Sequence, residues 1–381
     1  MCGIAGAVVW AGGQQIYDEN RLRKMSAPLR FRGPDAEGYY LQTHQNVQIA
    51  FAHKRLSIID LSEGGAQPMH STSRQSSIVF NGEIYNYRAL KQQLEAEGCR
   101  FVSHSDTEVI LEGFERWGIE KLLDALDGMF AFSLYCRSSS QLFLARDRFG
   151  KKPLYYYAAD QHLAFSSDIR SLSALNLPNT LDMQALGYYF AELATPKTNT
   201  IWQEIKRLAP AHYLVANANG INIKRYWSMP YEATCRLSTA DIIEKTDALL
   251  KAAVAKRLVA DVNVAAQLSG GIDSSLVVAI MAGLNDKPVS TYSVGFEHKY
   301  YNETPFARQV AERYKTNHHE LMMRPEDIGV SHDLILEYGE PFADVSMIPS
   351  YLISKYISQT EKVVCGGDGG DELFSGYHSY Y

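Results

Sequence analysis

Nowhere does the 381-residue chain hold an uncharged apolar run of about 18 residues, the length a membrane-crossing helix requires. The opening MCGIAGAVVWAGG is apolar, but it has no basic flank and is too short to span a bilayer. A basic excess is also missing. Lys and Arg number 37 against 43 Asp and Glu, so there is no surplus charge to neutralise phosphates, and nucleic acid is excluded as the main partner. No cluster of Lys and Arg supports a polybasic role at a membrane surface. Cysteine is sparse: Cys2, Cys99, Cys136, Cys235 and Cys365 are odd in number and never spaced Cys-x-x-Cys, which argues against a zinc site or a disulfide framework. These absences together describe a cytoplasmic protein that stays off the membrane. Internal repeats and low-complexity segments are absent too.

What remains is the composition of a globular chain, too long for one ordinary core and suited to two domains of about 150–200 residues each. Short segments rich in aromatic and β-branched residues predict strands at Gly3–Trp10, Val47–Ala52, Ser77–Phe80, Met129–Tyr135, Gln141–Ala145, Pro153–Ala158 and His162–Ser166. Helical spacing appears at Tyr85–Glu97 and Thr107–Trp117. This is the pattern of an α+β layered domain. The character changes after Trp227, and the stretch 218–238, with Pro230 and no clear period, is assigned as a linker between domains at 2–217 and 239–381. Helices at Thr239–Leu258, Ser274–Leu284, Pro305–Tyr314 and Ile348–Ser358 then alternate with strands at Asn263–Leu268, Val289–Phe296, His318–Met323 and Lys362–Cys365. Such alternation predicts a parallel sheet with helices on its faces.

Cys2 directly follows Met1, and Met is trimmed when the next residue is small. A terminal Cys carries a thiol and an α-amine of pKa about 7.7–8.0 on one carbon, so the amine can act as base for its own thiol. Many chains carry a small second residue for no catalytic reason, and Cys2 alone favours that plainer reading. Its company changes the balance. MCGIAG, FRGPD (31–35), HKRLSIIDLS (53–62), QPM (67–69), FNGEIYNY (80–87), SDTE (105–108) and ARDRFGKKPLYY (145–156) occur in an order that resembles the class II glutamine amidotransferases. The resemblance implies an N-terminal nucleophile (Ntn) fold of four αββα layers and a glutaminase with Cys2 as nucleophile. It implies Asn81 and Gly82 as the oxyanion hole, and a glutamine site of Arg55, Leu56, Ser57, Ile58, Ile59, Glu83 and Asp106. Arg55 would fork onto the substrate carboxylate and Asp106 would take its ammonium. Read without the family, Asn81-Gly82 is equally a tight turn, Arg55 a surface charge and Asp106 part of a helix cap. Phe31 departs from the His more often found there, at a position that borders the nucleophile in the family.

A second constellation, Leu268-Ser269-Gly270-Gly271-Ile272-Asp273-Ser274-Ser275, lies between a predicted buried strand and a helix. Glycines there expose successive N–H groups, and a helix amino terminus favours anions. The Walker lysine is absent, so the loop suits pyrophosphate held with Mg²⁺, for which Asp273 is a ready ligand. An ordinary Gly-rich turn is the plainer reading. SGGIDSS resembles the PP-loop of ATP pyrophosphatases, with an adenine nucleotide α-hydrolase-like α/β fold. TYSVGFE (291–297), GEPFADVSMIPSYLISK (339–355) and GGDGGDELFSGY (366–377) are similar to asparagine synthetase segments. The resemblance implies that Leu268, Ser269, Gly270, Gly271, Asp273, Ser274, Ser275, Val294, Gly366 and Gly367 contact ATP. It implies Asp273 and Asp371 as Mg²⁺ ligands and Asp368 in the β-aspartyl-adenylate step. His318-His319 is read as structural, because adjacent strand residues face opposite ways.

The family usually continues beyond the GGDGGDE motif, so the ATP domain is expected to be incomplete at Tyr381, with marginal folding beyond about Ser238. The expected activity is that of a carbon–nitrogen ligase: ammonia from glutamine displaces AMP from β-aspartyl-AMP, giving asparagine, glutamate, AMP and pyrophosphate. A different carboxylate acceptor, or a short form with glutaminase activity only, are the alternatives. Glutamine, aspartate and ATP are the implied small-molecule partners, and a homodimer is compatible with the family.

Overall fold

Small side chains decide how the first strand is used. In β1 (Gly3–Val9) every residue is buried, which requires cover on both faces. Ile4 and Val8 point one way, into a core shared with Phe51, Phe165, Val79, Leu142, Leu144 and Leu214. Ala5, Ala7 and Val9 point the other way, against Leu22, Met25 and Leu172. The computed structural model describes residues 1–13, 16–230 and 235–377.

Two compact units divide the chain: 1–231 with 335–343, and 232–334 with 344–381. After β1 the first unit runs through α1 (Glu19–Ser26), β2 (Ala36–His44), β3 (Val47–Arg55), β4 (Met69–His70), β5 (Ser76–Ile84), α2 (Tyr87–Ala96) and α3 (Asp106–Ala125). It continues with β6 (Gly128–Cys136), β7 (Gln141–Arg146), β8 (Tyr155–Ala159), β9 (His162–Ser166), α4 (Met183–Glu192), β10 (Lys206–Arg207), β11 (His212–Asn217) and β12 (Gly220–Arg225). The strands form two antiparallel sheets, ordered β10-β8-β9-β1-β3-β2 and β12-β11-β7-β6-β5-β4. Helix α1 packs on the outer face of the first sheet, and α3, with α2 against it, packs on the second. These are the four αββα layers. Within residues 335–343, Glu340 accepts hydrogen bonds from Tyr155 (3.1 Å) and Thr195 (3.2 Å) and pairs with Arg207.

Two sequence expectations need correction here. Strand β12 falls inside the stretch 218–238 assigned to the linker, yet it pairs along its whole length with β11. Its six residues are exposed on both faces, so it carries none of the apolar alternation that marks a half-buried strand. Residues 231–234 of that stretch lie outside the described residues, as does the chain end at Tyr381. The helix expected to stop at Trp117 reaches Ala125, because a second helical segment follows a break at Gly118, where φ is 76°.

In the second unit, α5 (Thr239–Arg257) leads to β13 (Val264–Gln267), α6 (Ile272–Leu284), β14 (Ser290–Phe296), α7 (Thr304–Tyr314) and β15 (Asn317–Met323). There follow α8 (Ser331–Tyr338), whose residues from Ile335 on belong to the first unit, and then α9 (Met347–Ile357), β16 (Val363–Cys365) and α10 (Gly370–Phe374). The sheet is parallel, in the order β15-β14-β13-β16. Val254, Val278, Met281, Ala307 and Ala311 from α5, α6 and α7 close one core. Ile353 and Ile357 of α9 pack with Ala265 and Tyr292 in another. The chain leaves β13 for β14 on one side and returns to β16 on the other. Such a reversal of strand order opens a crevice beyond the carboxyl ends of the two strands. His318 bonds Thr291 (2.9 Å) while His319 stacks on Tyr292, so the pair faces opposite ways, in packing roles. Among the described residues no helix is long and apolar enough to cross a membrane.

Candidate functional site

Cys2 enters β1 at the floor of a cleft of about 50 Å³, lined by Met1, Arg55, Leu56, Ile58, Ile59, Gly65, Gln67, Asn81, Gly82, Glu83, Asp106 and Lys152 among others. Its Sγ lies 3.4 Å from the Leu56 N–H and 3.6 Å from the Leu56 carbonyl. Burial pushes the thiol up from its ordinary value, while the Leu56 hydrogen bond and the terminal ammonium pull it back. The Leu56 N–H thus offers the sulfur a donor that favours thiolate.

Strand β5 supplies the most telling geometry. Asn81 is 0% exposed, and among the described residues neither atom of its side-chain amide has a hydrogen-bond partner. An unpaired buried amide costs roughly 1–3 kcal/mol, so the position is expensive unless something binds there. Along the same strand the N–H of Phe80 is taken by Gln67 Oε1 (2.6 Å) and that of Ile84 by Asp106 Oδ2 (3.0 Å). Backbone donors alternate sides along a strand, so the Gly82 N–H between them points to the same edge, into the cleft. At Gly82 a Cβ would stand 2.2 Å from the Met129 carbonyl, so only glycine fits against β6 there.

The candidate anchors are held from several elements. Arg55, at the end of β3, is buried, and its guanidinium donates to the Ser62 carbonyl (2.9 Å) and the Asp60 carbonyl. Gly65 makes room for it, since a Cβ there would fall 2.0 Å from Nη2. Asp106 opens α3 as its first residue, and Ser105 is the cap, accepting from Thr107 N–H (3.2 Å). Burial pushes the Asp106 carboxyl up to about 7, Glu83 acting in the same direction and the Ile84 N–H opposing. Ile58 and Ile59 line the cleft. Ser57 does not, and its N–H goes to Asp35 (2.9 Å). Phe31 is 72% exposed under the Arg30 guanidinium and takes no part in the cleft; Arg32 turns inward instead, with Nε on the Cys2 carbonyl (3.2 Å) and Nη2 buried without a partner among the described residues.

In the second unit the loops after β13 and β16 meet in the crevice, as the parallel pairing of Ala266 with Cys365 requires. Gly270 takes φ +89° and has no space for a Cβ beside Phe306 and Ala307. Ser269 and Ser274 hydroxyls lie 2.9 Å apart, closing the loop over the start of α6. Gly367 packs against Asp273 and Ser274, and a Cβ on Gly370 would fall 2.3 Å from Asp273 Oδ2. Asp371, next to Gly370, and Asp368 share this second loop. Val294 lies on β14, packed against the core beneath α9. Among the described residues no group of three or more His, Cys, Asp or Glu could hold a metal by itself. Any cation here would therefore draw part of its shell from water or a bound ligand.

Comparison with known proteins agrees with both halves. Residues 1–227 match the glutamine amidotransferase domain and residues 245–381 match asparagine synthase. A putative glutamine-hydrolysing asparagine synthetase of Methanocaldococcus jannaschii is 35% identical across the whole chain, which covers 76% of that protein. The chain belongs to the glutamine-dependent asparagine synthetase family. Asparagine synthetase 1 of Bacillus subtilis is 33% identical across the whole chain, which spans 59% of its length. An amidase of Gibberella zeae, chry2, is 30% identical over the same extent, with 60% of it covered.

Within this asparagine synthetase relative, three residues in or behind the cleft escaped the sequence reading of individual roles, although each sits in a quoted motif. Gln67 ties β5 to the start of α3, its Nε2 donating to Thr107 Oγ1 (3.2 Å). Arg32 holds the Cys2 carbonyl. Lys152 is buried beside the chain terminus. Proximity across the fold, rather than spacing along the chain, is their common signal.

Proposed function

We propose that this chain releases ammonia from glutamine in its first unit and activates aspartate with ATP in its second, for the synthesis of asparagine. The observation that carries the first half is the orphaned amide of Asn81 facing the same cleft as Cys2, Arg55 and Asp106. With Met1 removed, the Cys2 amine takes the thiol proton and Sγ attacks the side-chain carbonyl carbon of glutamine. The Asn81 amide and the Gly82 N–H receive the oxyanion, a contribution worth about 3 kcal/mol per donor. Ammonia leaves, and water releases glutamate from the thioester. Arg55 and Asp106 take the two charged ends of the substrate.

In the second unit the Gly-rich loop and the amino end of α6 support binding of the ATP phosphates. Asp273 and Asp371 would hold Mg²⁺, which supplies charge neutralisation of the departing pyrophosphate; the close seating of Gly370 on Asp273 fits such a shared cradle. Asp368, on the loop after β16, would act in the adenylation of aspartate. We assign the protein to the cytoplasm, which its scattered cysteines fit, none of them in a disulfide among the described residues; a homodimer is testable by sedimentation. Cys2→Ala should abolish glutamine hydrolysis and leave ATP binding intact. Equal glutaminase rates in the two proteins would remove the nucleophile.

The likeness to an amidase over the whole chain favours a second reading, in which the same two units serve another carboxylate acceptor. Mass spectrometry of products from aspartate and a panel of carboxylates, with glutamine and Mg-ATP, separates the two readings.

A further inference from the structure

Lys152 is 4% exposed and stands in the cleft with Cys2. Its backbone is clamped. The Lys152 N–H donates to Asp147 Oδ2 (3.0 Å) and its carbonyl accepts from Arg146 Nε (2.8 Å). Asp147 is itself fixed by the N–H groups of Phe130, Phe149 and Lys151, each at 3.0–3.1 Å. The side chain therefore leaves a rigid loop in one direction, and among the described residues its Nζ donates to Met1 Sδ alone (2.6 Å). A thioether is a weak acceptor for an ammonium. Loss of Met1 removes even that contact and leaves the charge in the cleft that Cys2 also lines.

We propose that Lys152 is a positioning residue of the glutaminase centre, whose ammonium holds the terminal amine of processed Cys2 in its free-base form. Two like charges in a dry cleft disfavour each other, so the amine remains able to take the Sγ proton as the S–C bond forms. That proton then passes to the departing amide nitrogen, which leaves as ammonia. The surroundings act on both groups. With Met1 in place, burial pushes the Met1 amine down to about 6, the Cys2 thiol and Glu83 opposing and Arg32 and Lys152 acting the same way as burial, so the cleft that receives the processed terminus already disfavours an ammonium. Burial pushes Lys152 itself down to about 8; Glu83 of β5, Asp147 and Cys2 favour its charge, and Arg32 opposes it. Arg55 and Asp106 also face the Cys2 thiol. Lys152 is thus charged at pH 7 and gives up its proton above about pH 8, where its influence ends.

The inference rests on Cys2 being the glutaminase nucleophile, which Cys2→Ala tests independently. The deciding experiment is the pH profile of glutamine kcat/KM for the processed, full chain as wild type, Lys152→Met and Lys152→Arg. In Lys152→Met the acid limb should move to higher pH, lowering kcat/KM at pH 6 by about tenfold, and the profiles should converge above pH 8.5. Lys152→Arg should keep the wild-type limb. Alkylation of Cys2 by iodoacetamide at pH 6–7 should slow in parallel, and Lys152→Gln provides the same readouts should Lys152→Met not fold. An acid limb and alkylation profile unmoved in the neutral variants, with Cys2→Ala inactive, would overturn the role of Lys152 while leaving the nucleophile in place.

Discussion

The carboxyl of Asp106 sets function against stability, and replacing it by Asn separates the two. In the empty cleft the group is 5% exposed, and burial raises it from 3.8 to about 7. Because the folded value lies above the unfolded one, the penalty is absent below about pH 4, grows between pH 4 and 7, and is fully present above about 7. The difference corresponds to roughly 4 kcal/mol, and relaxation around the charge reduces it to about half. Asn keeps the acceptor for the Ile84 N–H (3.0 Å in the parent) and carries no charge. Asp106→Asn should therefore raise the Tm of the first unit at pH 8 by about 4–8 °C and change it little at pH 4.5. Glutamine kcat/KM should fall at least a hundredfold, since the substrate ammonium loses a charged partner worth about 2–5 kcal/mol. In the parent protein the KM for glutamine should climb as pH falls below 7, while the carboxyl takes up its proton. Scanning calorimetry at the two pH values and steady-state glutaminase kinetics are the assays. A Tm that drops at pH 8 together with an unchanged KM would refute the reasoning, for it would mean that Asp106 is neither desolvated nor facing the substrate.

Three further perturbations address other parts of the two sites. Asn81→Leu replaces an unpaired buried amide by an apolar group of similar size, so thermal stability should hold or improve while kcat falls about 100- to 1000-fold; a large loss of Tm with normal turnover would show that the amide serves packing. Gly65→Ala drives a methyl group into the Arg55 guanidinium, and steady-state kinetics should show the KM for glutamine rising about tenfold or more with Tm barely altered. Gly370→Ala crowds the Asp273 carboxylate, which should weaken Mg-ATP binding in calorimetry and spare glutaminase turnover; undiminished affinity would separate the two loops from nucleotide binding.

Much of the second unit was legible because its helices and strands alternate regularly, even though β14 and β15 carry Ser, Thr, His and Glu. In the first unit the strands that pair at the centre, β1, β6, β7 and β9, were also readable. Helix α1 was not: only Leu22 and Met25 of its eight residues, apart from Ser26, are buried, too few to mark a period. Strand β2 is mostly exposed and holds Gly38, and β12 shows no alternation at all. The motif residues around Cys2, Asn81, Arg55 and Asp106 were named from their pattern and meet in one cleft. Their supports were invisible, because Gln67, Gly65 and Lys152 act through contacts made only once β5, α3 and the loop after β7 are folded together.

The edge of β5 has a consequence for which amino acids can react. Donors on one side of a strand recur every two residues, about 6.8 Å apart. On the proposed reading, Gly82 marks where the reacting carbonyl must lie, and the Ile84–Asp106 contact marks where the ammonium is gripped. The strand is thus a gauge cut to one side-chain length. Asparagine, one methylene shorter, cannot touch both marks, and a missing methylene is worth about 1–3 kcal/mol of discrimination. The protein's own product would then be spared by a fixed backbone spacing that no side-chain substitution along the strand resets.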